Sequence, residues 1–163
     1  MDEQLLRLTD ESISLELLVS ELYMLFHTIF PEDAKFWWRL VEEERNHAAL
    51  IRSAREYFDP VERFPLKLIS QNLPVLEEAN RKVKELLERY SKNYPERAEA
   101  FNCALRLERT AGEVHFQNFL DDHDLTSTEK IFQKLNGDDG EHTDRILAYM
   151  KLKGLPLSDD ETE

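Results

Sequence analysis

The segment WWRLVEEERNHAALIRSAREYF, residues 37–58, places Glu44 and His47 in the middle of an apolar stripe formed by Trp37, Leu40, Val41, Ala48, Ile51 and Phe58. The stripe has the three-and-four spacing of an amphipathic helix. Residues three apart lie on one helix face, so both polar side chains point where the apolar ones do. A carboxylate buried alone is strongly unfavourable unless it is paired or bound to a metal. Neighbouring elements must therefore present partners for this pair, either ion-pairing side chains or a shared cation.

The chain supplies those elements as helices. Its 163 residues include only 4 Gly and 6 Pro, and 41% are hydrophobic and 34% charged. A Leu-, Glu-, Arg- and Lys-rich chain with few breakers favours long helices, and the length supports one domain with a real core. The periodicity predicts a first helix over 9–30, closed by Pro31, and a second over 32–58, closed by Asp59-Pro60. A connection over 59–72 leads to a third helix over 73–92, capped by Asn72 with Pro74 in its first turn. A fourth is expected over 95–120, and a last over 127–152, opened by the capping box Thr126-x-x-Glu129. Two long helices, a crossover carrying its own helix and two more long helices make an all-α four-helix bundle. It is expected to be a single domain over residues 1–153, with an acidic, disordered tail over 154–163.

Polar interruptions recur on the other inward faces. Glu16 shares a face with Ile13, Val19, Tyr23 and Phe26. Glu108 shares one with Phe101, Ala104, Leu105, Ala111 and Phe119, and Asp139 and His142 share one with Phe132, Leu135, Ile146 and Tyr149. Glu21 rivals Glu16, because the first helix is apolar nearly all round, and Glu113 rivals Glu108. Four carboxylates and two imidazoles on four inward faces point to cations between them. Carboxylate oxygen and neutral imidazole nitrogen suit iron, manganese or zinc. The step from Glu16 to Glu44 nearly equals that from Glu108 to Asp139, so the halves read as a pseudo-repeat of helix pairs. The competing readings are a hydrogen-bonded core histidine beside a solvated acidic face at Glu44 and His47, and a polar turn at Asp139 and His142, since Asn136-Gly137 and Asp139-Gly140 are turn signals.

Four motifs, SLELLVSELYMLF, LVEEERNHAAL, ALRLERTAGEVHF and KLNGDDGEHTDRI, stand in the order of the ligand helices of ferritin-like carboxylate bundles. On these motifs the chain resembles rubrerythrin-type, ferritin-like di-iron proteins over roughly residues 9–152. The resemblance implies a ferritin-like four-helix bundle with an additional helix in the crossover between its second and third ligand helices. It implies two iron ions ligated by Glu16, Glu44, His47, Glu108, Asp139 and His142, with Glu44 and Glu108 as bridges. Manganese or zinc are the alternatives. It further implies a non-haem peroxidase or ferroxidase reducing O2 or H2O2 as Fe(II) is oxidised, with Glu16, Glu44, Glu108 and Tyr23 around the reacting atoms.

Several positions depart from the family pattern. Asp139 stands where Glu is usual and is one methylene shorter. Gly137 and Gly140 each cost about 1 kcal/mol in a helix interior relative to Ala, and they allow a kink there. Ala111 stands where family peroxidases carry a further carboxylate, which weakens a mechanism using an extra mobile ligand. His115 takes the place equivalent to Tyr23 in the second half. Without a cysteine-ligated rubredoxin module, electrons are expected from a separate donor protein or from iron itself.

A formal net charge of -13 with no basic stripe argues against nucleic acid and anionic membrane surfaces. The single cysteine, Cys103, excludes an intramolecular disulfide or a thiolate cluster and is expected as a small core residue. The N-terminal residues lack a basic-then-apolar signal and no apolar run reaches membrane-spanning length, so a cytoplasmic protein is expected. Trp37 is expected in the core, His27 and His123 on the surface, and Trp38 on a second apolar face that forms a homodimer contact. Two other functional readings stand beside the redox one. One is a non-redox metal-binding or interaction bundle with a degenerate site. The other is a structural bundle whose carboxylates hydrogen-bond one another as neutral acids. A storage cage is disfavoured, because no short fifth helix follows residue 152.

Overall fold

The computed structural model describes residues 3–58, 63–109, 130 and 142–158. Among them the chain is all-helical, without strands. It comprises α1 (Glu3–Ile29), α2 (Ala34–Phe58), α3 (Leu73–Lys92), α4 (Arg97–Glu108) and α5 (His142–Lys153), with short 3-10 turns at Pro31–Asp33 and Leu66–Leu68. α1 packs along α2 and against α3, and α4 packs against α5.

α1 begins before the expected Thr9. The Thr9 hydroxyl donates to Leu6 O at 2.8 Å and Ser12 to Leu8 O at 2.8 Å. Both hydroxyls bond back into the helix instead of capping its start, and the buried Leu8 extends the apolar face toward the N-terminus. α3 matches its expected span. Asn72 Oδ1 accepts from Val75 N at 3.3 Å, and Pro74 sits in the first turn, where its missing N–H is no loss.

α5 ends in a Schellman turn. Gly154 has φ 65°, its N–H donates to Lys151 O, and the Leu155 N–H donates to Met150 O. The tail expected to be disordered is held over its first residues. Asn102 donates to Pro156 O at 3.0 Å and accepts from Ser158 N at 2.9 Å. The expected stretches of the fourth helix beyond 109 and of the last helix over 131–141 lie outside the described residues, as do the capping box and Gly137 and Gly140.

The core is aromatic. Trp37, Tyr23, Phe26 and Phe101 are fully buried, with Phe26 5.0 Å and Phe101 4.4 Å from Trp37 between ring centroids. The buried Asp33, in the turn between α1 and α2, fixes α4 and α5 to that end. It accepts two 2.7 Å hydrogen bonds from Arg97 and one of 2.8 Å from the Tyr149 hydroxyl. Cys103 is buried, as expected. Trp38 is exposed, with its ring 5.7 Å from that of His27. His27 is half-buried rather than on the surface, its Nδ1 2.9 Å from Ala34 O. By length and composition α1 could cross a membrane. Yet it buries Glu16, Ser12 and Ser20 on its inner face, as a central bundle helix does.

Candidate metal centre

Four helices contribute to one buried polar cluster. α1 supplies Glu16 and Tyr23, α2 Glu43, Glu44 and His47, α4 Glu108, and α5 His142, all of them buried. The phase of α1 is decided by burial, since Glu16 is inside and its rival Glu21 is exposed. Glu113, Asp139, His115 and His123 lie outside the described residues.

The cluster has two halves that share one residue. Glu16, Glu44 and His47 offer donor atoms within 4.8 Å of one another, and so do Glu44, Glu108 and His142. His47 Nδ1 is 3.5 Å from Glu16 Oε2 and 3.4 Å from Glu44 Oε2. His142 Nδ1 is 3.0 Å from Glu108 Oε2 and 3.4 Å from Glu44 Oε1. Glu44 thus aims one oxygen at each half, while Glu108, among the described residues, stands with Glu44 and His142. The imidazoles lie nearly parallel, 11° apart with centroids 5.4 Å apart. The Tyr23 hydroxyl donates to Glu108 Oε1, so that carboxylate turns its other oxygen to His142.

Glu43, which the apolar stripe of its helix does not single out, is only 4% exposed. Its Oε2 lies 3.2 Å from His142 Nε2, and its carboxylate accepts from Arg145 and, at 2.8 Å, from Arg39 Nε. Arg39 stands one helical turn before Glu43, a spacing that marks an i,i+4 ion pair. That pair was the one sequence signal that Glu43 is held in place.

Protonation follows the environment. Burial, reinforced by the charge of Glu44, pushes the Glu16 carboxyl up to about 8. Burial also opposes the charge on Glu44, but hydrogen bonds from His142 and His47 hold its carboxyl well below the usual range. At Glu43 burial is likewise outweighed, by His142, Arg145 and Arg39, and the carboxyl falls to about 2. Burial disfavours the charged imidazoles, yet the surrounding carboxylates raise His47 and His142 well above the ordinary histidine value. Burial and the charges of Glu108 and Glu44 raise the Tyr23 phenol well above its usual value. Protons on Glu16, His47 and His142 therefore occupy the metal-free cluster.

The donor set fits divalent cations. It is made of carboxylate oxygens and imidazole nitrogens, the ligands that suit iron, manganese or zinc. Glu44 Oε1 has no closer donor among the described residues than His142 Nδ1 at 3.4 Å, too long for a full hydrogen bond, which leaves that buried oxygen able to accept a further partner. No protein-family model, characterised protein or solved structure matches the chain.

Proposed function

We propose that this chain is a ferritin-like four-helix bundle that holds two iron ions and acts as an oxidoreductase, reducing O2 or peroxide as Fe(II) is oxidised. The observation that supports this reading most is Glu44, one carboxylate between two buried donor groups. Glu16, Glu44 and His47 would hold one ion, and Glu44, Glu108 and His142 the other. Bound iron supplies the electrons for such a reduction. The chain supplies position and exclusion of water. Tyr23 orients Glu108, and Glu43 lies beside the outer nitrogen of His142.

The test is anaerobic addition of Fe(II), then of O2 or H2O2, with metal content and absorbance followed together. About two irons per chain, oxidised on addition of the oxidant, are expected from such a ligand set. Binding without oxidation would leave a non-redox metal protein, and no binding would sink the reading.

A second reading has an observation of its own. The proton held on Glu16 and the carboxylates around both imidazoles would satisfy the cluster as a metal-free structural network. A melting temperature unchanged by chelator and by added metal would favour it, since a ligand of the native state alone raises stability.

A further inference from the structure

A line of aromatic rings leads from the cluster to the surface. Tyr23, hydrogen-bonded to Glu108, has its ring centroid 5.8 Å from that of Trp37. Trp37 lies 5.5 Å from Phe36 and 4.4 Å from Phe101. Both phenylalanines reach Tyr149 in stacked geometry, Phe36 at 4.2 Å and Phe101 at 5.5 Å. Tyr149 is half-buried, so the line ends where a solute can approach.

The order of ring types is chemically apt. Tyrosine and tryptophan are the side chains that lose one electron most readily, and the phenylalanines bridge them. A phenol that loses an electron must also shed its proton. Each tyrosine here donates a hydrogen bond to a carboxylate, Tyr23 to Glu108 and Tyr149 to Asp33 at 2.8 Å. Trp37 Nε1 makes no hydrogen bond among the described residues, so the indole can pass an electron without handing on a proton.

We propose that Tyr23, Trp37 and Tyr149 form an electron path by which one-electron reductants in solution, meeting the protein at Tyr149, would supply electrons to iron held by the buried carboxylates and histidines as peroxide is consumed there. The path rests on the di-metal reading above. In each passage Tyr23 gives up an electron toward the centre and its phenol proton to Glu108. Trp37 reduces the Tyr23 radical, and that proton returns. Tyr149 reduces the Trp37 radical cation, passing its own proton to Asp33, and the soluble reductant restores Tyr149, which takes its proton back. Two passages balance one peroxide. The O–O bond breaks, two electrons and two protons are taken up, two waters form, and two molecules of reductant are each oxidised by one electron.

The experiment uses the full chain loaded with Fe(II), hydrogen peroxide as oxidant and ascorbate as reductant. Iron content and Fe(II) oxidation are measured separately from the radical. In the wild type, a spin trap mapped by mass spectrometry is expected on Tyr149. In Trp37→Phe that adduct falls severalfold, while iron content and Fe(II) oxidation stay as they were. In Tyr149→Phe, which keeps the central core intact, the protein radical seen by electron paramagnetic resonance outlives that of the wild type and ascorbate oxidation slows severalfold. A Tyr149 adduct undiminished in Trp37→Phe overturns the path. So does the absence of any adduct in a wild type that binds iron and consumes peroxide. A chain that binds no iron overturns the di-metal reading and the path with it, and the iron measurement tells the two failures apart.

Discussion

Glu43 Oε2 stands 3.2 Å from His142 Nε2, so the imidazole that faces Glu108 and Glu44 with one nitrogen has a carboxylate within ion-pair distance of the other. Arg145 and Arg39 fix that carboxylate in turn. Such an outer partner sets the ring orientation and the tautomer of a metal-binding histidine. Glu43→Gln is expected to weaken metal binding by about 10–100-fold with stoichiometry retained. A metal titration of the variant, beside its circular dichroism spectrum, checks this, and unaltered affinity would remove Glu43 from the site.

Metal uptake should be strongly pH-dependent. His47 and His142 are raised well above ordinary histidine values and Glu16 stands at about 8, so all three hold protons in the metal-free protein near neutrality. Ligation requires the deprotonated forms, so binding expels protons and affinity climbs with pH. The steepest rise is expected up to about pH 8, where Glu16 ionises without assistance. Calorimetry in buffers of different ionisation enthalpy measures the protons released. A flat profile over that range contradicts the assignment.

Glu16 should make the metal-free protein less stable as pH rises. Its folded pKa, about 8, lies above the unfolded value near 4.5, so the native state binds more protons in that window. Stability therefore falls with increasing pH from the unfolded pKa to the folded one. Glu16→Gln mimics the neutral acid and should stabilise the metal-free protein at neutral pH, by an amount on the order of 1–3 kcal/mol. The same change should impair metal binding. Urea denaturation with and without metal reads both effects, and a variant less stable than wild type in the absence of metal would count against the buried-acid assignment.

The contact of Arg97 with Asp33 should matter for stability and not for metal stoichiometry. The Asp33 side chain is fully buried and accepts two hydrogen bonds from Arg97. Arg97→Met leaves that carboxylate with Tyr149 as its remaining side-chain hydrogen-bond donor among the described residues, at an expected cost on the order of 2–4 kcal/mol. Thermal denaturation together with metal analysis separates the two properties.

Much of this architecture was legible from local pattern. Asn72 and Pro74 mark the start of α3 because capping is a contact within a single turn. Glu44 and His47 stand out because they break an apolar stripe of their own helix, and both prove buried. Glu43 escaped detection because its burial comes from Arg145 and His142, far away in sequence, and the run of acids around it has no such periodicity. Asp33 escaped for the same reason, its partners being on α4 and α5. Thr9 misplaced the start of α1, since a hydroxyl that can cap a helix can equally bond to the carbonyl three residues before it.

The shared position of Glu44 permits the most direct test. Elemental analysis and anaerobic Fe(II) titration should find about two metals per wild-type chain, one for each donor group that Glu44 joins. Glu44→Ala should weaken both sites together, because both halves use that carboxylate, whereas Glu16→Ala should weaken only one. A wild-type chain that binds no metal, or a Glu44→Ala variant that binds as the wild type does, would contradict the account.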